Sequence, residues 1–145
     1  MESIDTTFLE KCVNTLDKAF GLLNKSEQGS IDYEMYRSAS IKEFEIILEQ
    51  AGKLLKKALK HYFHASKEVD KLFFKDIFRH ASLHGIISIE EVDRWMVYRD
   101  SRNSTVHDYG SGFAEEILKL FPDFIKDAKL LISALQKQNH AHSQS

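Results

Sequence analysis

An all-α fold, an up-and-down bundle of about five helices, is what this 145-residue sequence predicts. Three observations lead there. Pro122 is the only proline. Apolar residues recur three and four apart over long stretches, the period of a helix with one buried face. Little of the chain alternates apolar and polar residues as a half-buried strand would.

The first helix is expected from about Asp5 to Lys25, with Leu9, Val13, Leu16, Phe20 and Leu23 on one stripe. Residues 26–30, with Gly29, read as a connecting loop. A long second helix follows from about Asp32 to Phe63, its inward positions being Ile41, Phe44, Leu48, Ala51, Leu55, Ala58 and Tyr62. Gly52 inside it is worth about 1 kcal/mol less than alanine would be, so a neighbouring helix is expected to approach closely there. The third helix spans about Val69 to Leu83 and stops at Gly85. The fourth opens with a capping box, Ser88 to Glu91, just ahead of its apolar stripe. The fifth begins near Phe113 and carries Ile117, Leu120, Phe124, Ala128, Leu131 and Leu135 inward. Pro122 should kink or restart it, because proline removes an internal hydrogen bond. Residues from about Gln138 read as a frayed tail.

These segments form one domain over 1–145, with neither internal repeat nor linker. Hydrophobic residues make up 43% and charged residues 29%, ordinary for a soluble globular protein. The net charge of −2 provides no global basic field, so any nucleic-acid contact must use a local patch. The lone Cys12 excludes an internal disulfide and fits a reducing compartment; within a helical pattern it reads as a buried thiol. The N-terminus lacks the basic and apolar regions of a signal peptide, and no apolar run approaches membrane-spanning length. The cytoplasm is the expected setting.

The stretch from Trp95 to Tyr109 departs from an ordinary amphipathic helix. Ile89, Val92 and Met96 define a stripe whose next positions are Arg99, Asn103 and Val106. A face that should stay apolar turns polar, and a cation on such a face needs a partner or a purpose. Three of the five arginines, Arg94, Arg99 and Arg102, fall within nine residues. On a continuing helix Arg102 and Tyr109 nearly eclipse, whereas His107 lies about 140° round the axis from Arg102, beside Asn103 and Asp100. Arg102 and His107 could converge if the helix loosens before Gly110 and Gly112, or if two-fold symmetry brings a second copy alongside. The symmetric pair is the favoured expectation.

Arg102-Asn103-Ser104-Thr105-Val106-His107-Asp108-Tyr109 resembles the signature of the HEPN superfamily: arginine, four residues, histidine, one residue, tyrosine. More narrowly it resembles the HepT-like branch, also called nucleotidyltransferase substrate-binding proteins. Phe44-Glu45, Glu49 and Lys53 are similar to the family's second-helix pattern, and Phe78-Arg79-His80-Ala81 through Gly85-Ile86-Ile87 to the helix and turn before the motif helix. The similarity covers roughly residues 30 to 110. One departure is Gly52, where relatives commonly carry a tryptophan after the alanine. The resemblance implies a four-helix-bundle core, a homodimer, and metal-independent ribonuclease chemistry with Arg102 and His107 of two protomers lining one cleft. It further implies that Tyr109 accepts nucleotidyl groups from a separately encoded minimal nucleotidyltransferase, the antitoxin of a toxin–antitoxin pair.

The residue chemistry agrees with that implication. His107 can accept and donate a proton near neutrality. The Arg102 fork suits a phosphate and the charge developing on it, and Asn103 can hold a ligand; Arg99 and Asp100 are the further candidates for binding substrate or nucleotide. RNA brings its own nucleophile, the 2′-hydroxyl, so a base with an anion stabiliser can cleave it. No clustered carboxylate set for Mg²⁺ is apparent, and no metal or cofactor is expected. The alternative is a non-catalytic subunit that binds nucleotide or presents substrate to the transferase. Plainer readings exist for each residue: Arg102 and His107 could cap carbonyls and pair with Asp100 or Asp108, and Tyr109 could be a half-buried aromatic with a wet hydroxyl. Arg94 and Arg99 are expected at an interface or in solvent, with extension of an RNA-binding patch the sharper possibility for either. His80 with His84, His61 with His64, and His140 with His142 read as solvated pairs, because no third metal ligand stands near. Lys53, Lys56, Lys57 and Lys60 complement the dipole of the second helix on a solvated face, with RNA contact the sharper possibility. Phe73, Phe74 and Phe78 read as core.

Overall fold

The computed structural model of the protein describes residues 3–107 and 111–143, with the side chains of 104–107, 111–113 and 143 outside the description. It is organised about one long helix, α2 (Ile31–Leu59), which contacts every other described helix. Around it stand α1 (Thr7–Asn24), α3 (Ser66–Asp70), α4 (Phe74–Leu83), α5 (Ile89–His107), α6 (Ser111–Leu118) and α7 (Phe121–Ser143), with no strand among the described residues. The expected all-α bundle is present, with α1, α2, α4, α5 and α7 as the five long members.

Local chemistry sets the helix ends. Ser30 caps α2, its hydroxyl accepting the Tyr33 N–H at 3.1 Å. The capping box at α5 is formed in both directions, Ser88 N–H to Glu91 Oε1 at 3.2 Å and Glu91 N–H to Ser88 Oγ at 3.1 Å. Gly85, at φ +74, closes α4 as the Ile86 N–H returns to the Ala81 carbonyl. Pro122 falls in the first turn of α7, where a missing N–H does no harm, so the chain restarts there instead of kinking.

The core is an aromatic column joining four helices. Phe44 of α2 meets Phe124 of α7 at 4.6 Å between centroids, Phe124 meets Trp95 of α5 at 5.5 Å, and Trp95 meets Phe78 of α4 at 5.3 Å. All four side chains are fully buried; such edge-on and tilted contacts add to the area they remove from water. The expected stripes of α1 and α7 face this core throughout. Cys12 is buried as expected, its thiol pushed up to about 11 by desolvation and by Glu43.

Several expectations are corrected. The third predicted helix is two, α3 and α4, because Phe73 is extended and its N–H is taken by the Asp76 carboxylate at 3.3 Å. Phe73 is itself exposed, whereas Phe74 and Phe78 are inward. The second helix ends as an α-helix at Leu59 and tightens into a 3-10 turn over Lys60–Tyr62. The fifth predicted helix is likewise two, α6 and α7. Ile89 lies in the first turn of α5 and is 56% exposed; Val92, Trp95 and Tyr98 form the buried face. Two large rings outweigh one terminal isoleucine and rotate the helix by about one position.

Of the tail expected to fray from about Gln138, the described residues 138–143 are helical. α7 continues to Ser143, and Asn139 grips the backbone of Ile4, accepting its N–H at 2.6 Å and donating to its carbonyl at 2.7 Å. Nor are the histidines simply solvated. The His61 and His142 rings stack at 3.9 Å, and Tyr62, only partly covered, stacks on His84 at 4.3 Å while donating to Gln138 at 2.8 Å.

α5 is tied to α7 by a polar contact beside this column. The Asp127 carboxylate, 3% exposed, accepts both arms of the Arg94 fork at 2.9 Å and the Tyr98 hydroxyl at 2.5 Å. Arg94 keeps the exposure expected of it, at the rim of solvent, while its fork pairs with a buried carboxylate. Burial and Asp127 hold the Tyr98 phenol well above its ordinary range, so it stays a donor. Asp127→Ala, which strands that buried hydroxyl, should lower unfolding free energy by about 2–4 kcal/mol. Arg94→Ala, at a side chain 43% exposed, should lose no more than about 1 kcal/mol; urea unfolding of the two variants compares them. Burial and His142 lower the His61 pKa from 6.5, so the folded state favours the neutral ring. Its contribution to stability is complete above pH 6.5 and is lost as the pH falls below that value. His61→Gln should flatten the acid side of the stability–pH curve measured by thermal unfolding.

Candidate functional site

The rotation of α5 that buries Trp95 decides where the motif arginines point. Positions 95, 99 and 102 share one side of a helix, so the buried face runs from Val92 and Trp95 into Arg99 and Arg102, both half-buried. Arg99 and Arg102 open on a cleft of about 380 Å³ between α5, α2 and α4, with Asn103 at its exposed rim. The opposite wall is α2, which contributes Glu49, Lys53 and Lys56.

The floor explains Gly52. A Cβ there would lie 3.3 Å from Cδ2 of Phe74, tighter than most real contacts, so the missing side chain admits the Phe74 ring of α4 against α2. The close approach expected from sequence is thus made by a ring. Phe74 packs on Phe78 at 4.5 Å and carries the Arg99 guanidinium 5.6 Å from its centroid, a cation–π arrangement that orders an arginine at the rim of solvent. Lys56 donates to the Asp70 carbonyl at 3.0 Å, and Lys53 pairs with Glu49 at 3.2 Å. Among the described residues, four cations and one carboxylate line the cleft of a chain whose net charge is −2, a local basic patch of the kind a phosphate requires.

Of the residues singled out in the sequence, the fold brings Arg99, Arg102 and Asn103 together. Asp100 is exposed and does not line the cleft. His107 is the last residue of α5, with its side chain outside the described residues, and Tyr109 lies outside them altogether. Lys53 and Lys56 do more than complement a helix dipole on a solvated face: the tertiary packing sets them across from the arginines. Their spacing of three, bracketing the inward Leu54 and Leu55 next to Gly52, is the signal in the sequence that could have placed them there. Among the described residues no group of three or more histidine, cysteine or acidic side chains could hold a metal ion.

Like the one before it, the segment after the motif is anchored, here through a more exposed carboxylate. In α6, Glu115 accepts the Tyr33 hydroxyl at 2.8 Å and the Arg37 Nη1 at 3.1 Å, both from α2. Burial and Glu115 raise the Tyr33 phenol above its ordinary value. Glu115→Ala should cost about 1 kcal/mol of global stability, and hydrogen exchange should show the loss of protection concentrated in residues 114–118.

Comparison with known proteins agrees with this architecture. The family model described as "Nucleotidyltransferase substrate binding protein like" matches residues 6–137. The Haemophilus influenzae Rd protein named "Probable ribonuclease HepT" is 28% identical over 138 residues, covering 88% of this chain and 93% of that one. A solved Haemophilus influenzae structure, described as revealing the fold of a substrate binding domain of a nucleotidyltransferase, superposes with a TM-score of 0.78 at 24% identity, over 91% of this chain and 99% of the other. A crystal structure from Thermus thermophilus gives 0.69 at 25% identity, over 88% and 98%. With nearly its whole length matched and its bundle shared, the chain belongs to the HepT-like family of nucleotidyltransferase substrate-binding proteins.

Proposed function

We propose that the protein is the HEPN-type partner of a separately encoded minimal nucleotidyltransferase, and that it acts as a metal-independent endoribonuclease toxin silenced by nucleotidylation of Tyr109. The observation that carries this reading is the basic cleft in which Arg99, Arg102 and Asn103 face Lys53 and Lys56, in a chain of this family. His107 removes the proton of an RNA 2′-hydroxyl. The freed oxygen attacks the adjacent phosphorus, the bond to the 5′-oxygen breaks, and that oxygen takes a proton; a 2′,3′-cyclic phosphate and a 5′-hydroxyl end result. Arg102 stabilises the charge gathering on the phosphoryl oxygens with its planar fork. Asn103 and Arg99, which line the cleft, are assigned to substrate or nucleotide binding, and Asp100, outside its lining, at most to a contact beyond it.

His107 stands five positions after Arg102, about 140° round the axis, too great a turn for one straight helix to present both to a single phosphate. A homodimer, in which the histidine of one protomer faces the arginine of the other, resolves that geometry and is the assembly we propose. A nucleotidyl group on Tyr109 adds phosphate charge next to the arginines and excludes RNA. No described helix is long and apolar enough to cross a membrane; with a buried, unpaired Cys12, a cytoplasmic setting is the one we assign. A second reading, a non-catalytic nucleotide- or substrate-binding subunit of a two-component nucleotidyltransferase, is favoured by the description of the family itself.

Purified protein should cut single-stranded RNA in the presence of EDTA, and Arg102→Ala and His107→Ala should each slow cleavage by about 10²-fold or more. Co-expression with the partner transferase should add nucleotidyl mass at Tyr109 and abolish cleavage, with Tyr109→Phe escaping both. An uncut RNA alongside a stable complex with the transferase would instead support the second reading.

A further inference from the structure

We propose that Lys53, Lys56 and the Arg99–Phe74 pair form a second subsite that binds a flanking nucleotide of single-stranded RNA, next to the phosphate held at Arg102. The inference rests on the ribonuclease reading above and adds residues that the motif does not contain.

The cleft carries two rows of cations on facing helices: Arg99 and Arg102 on α5, Lys53 and Lys56 on α2. In each row the residues stand three apart, one helical turn along the same face, with about 4.5 Å of rise between them. A ligand with a single phosphate needs one end of this arrangement. A polyanion with a charge on every unit uses its whole length. The only carboxylate among the described residues of the lining, Glu49, is already turned to Lys53 at 3.2 Å, and Lys56 is oriented by the Asp70 carbonyl. Each ammonium has three donors, so both can still donate to a phosphate.

The floor between the rows is aromatic. Phe74 lies against the bare backbone of Gly52, and the Arg99 guanidinium is held over its ring. A ring topped by a planar cation offers a surface on which any base stacks. An acidic peptide would satisfy the lysines and leave that platform unused; a nucleotide chain satisfies both. Gly52 is the enabling position, since any side chain there would press on the ring.

The test is fluorescence anisotropy on the full-length His107→Ala protein with a labelled single-stranded oligoribonucleotide of twelve residues, and with ATP as competitor. Lys53→Gln alone, at an exposed position, should weaken RNA binding several-fold, and Lys53→Gln with Lys56→Gln about tenfold or more; the slope of log affinity against log salt should fall by about 0.7 per lysine. Phe74→Leu should weaken binding by about fivefold or more with the salt slope unchanged. Circular dichroism melting checks that each variant is folded, and Lys53→Gln carries the test should the Lys56 variant fail to fold. Unchanged RNA affinity in the folded variants overturns the proposal. So does ATP binding as tightly as the oligomer and weakening in parallel with it, which would make the cleft a free-nucleotide site. Cleavage by protein with His107 intact is followed alongside: absent cleavage counts against the ribonuclease reading, while the binding series judges the subsite separately.

Discussion

A single buried carboxylate holds the working helix in place. Asp127, on α7, draws in Arg94 and Tyr98 from α5, and at 3% exposure both its oxygens are satisfied by a two-armed cation and a phenol. The bonds are directional, so they fix the rotation of α5 about its own axis. The aromatic column fixes the depth of the helix through Trp95, which packs on Phe124 and Phe78. Apolar packing alone tolerates sliding and rotation far better than a forked ion pair does. With Asp127 in place, the residues one and two turns beyond Trp95 must face α2.

That requirement generates the cleft. α2 presents a surface with one side chain missing, at Gly52, and Phe74 of α4 occupies the gap. Arg99 settles on the ring, and Arg102 follows one turn later along the same wall. Across the cleft, Lys53 and Lys56 project from the flank of a helix whose other face is core. Charge of one sign is thereby concentrated in a concave place on a molecule of slightly negative net charge, which serves the recognition of one anionic ligand better than a uniformly basic surface would.

Anchored structure stands on both sides of the segment that carries the motif. Before it, the Asp127 cluster ties α5 to α7; after it, Glu115 ties α6 to Tyr33 and Arg37 of α2. Two sets of polar bonds between partly or fully buried groups hold these flanking helices to the same bundle.

Much of this was legible in the order of residues. Helical periodicity, the Ser88–Glu91 box, the stop at Gly85, the restart at Pro122 and the burial of Cys12 are consequences of local geometry, set within a turn or two of the chain, and the arginine–histidine–tyrosine signature is equally local. What only the tertiary structure decided is how those helices are rotated against one another. The exposure of Ile89 and Phe73, the stacking of His61 on His142, the helical tail pinned to Ile4 through Asn139, and the meeting of Lys53 and Lys56 with Arg99 and Arg102 all rest on partners distant in the chain. Arg94 and Asp127 are separated by 33 positions, and neither residue's surroundings contain any sign of the other. Periodicity tells a helix which residues share a face; which face prevails is settled by the size of the rings it must bury and by the one carboxylate it must neutralise.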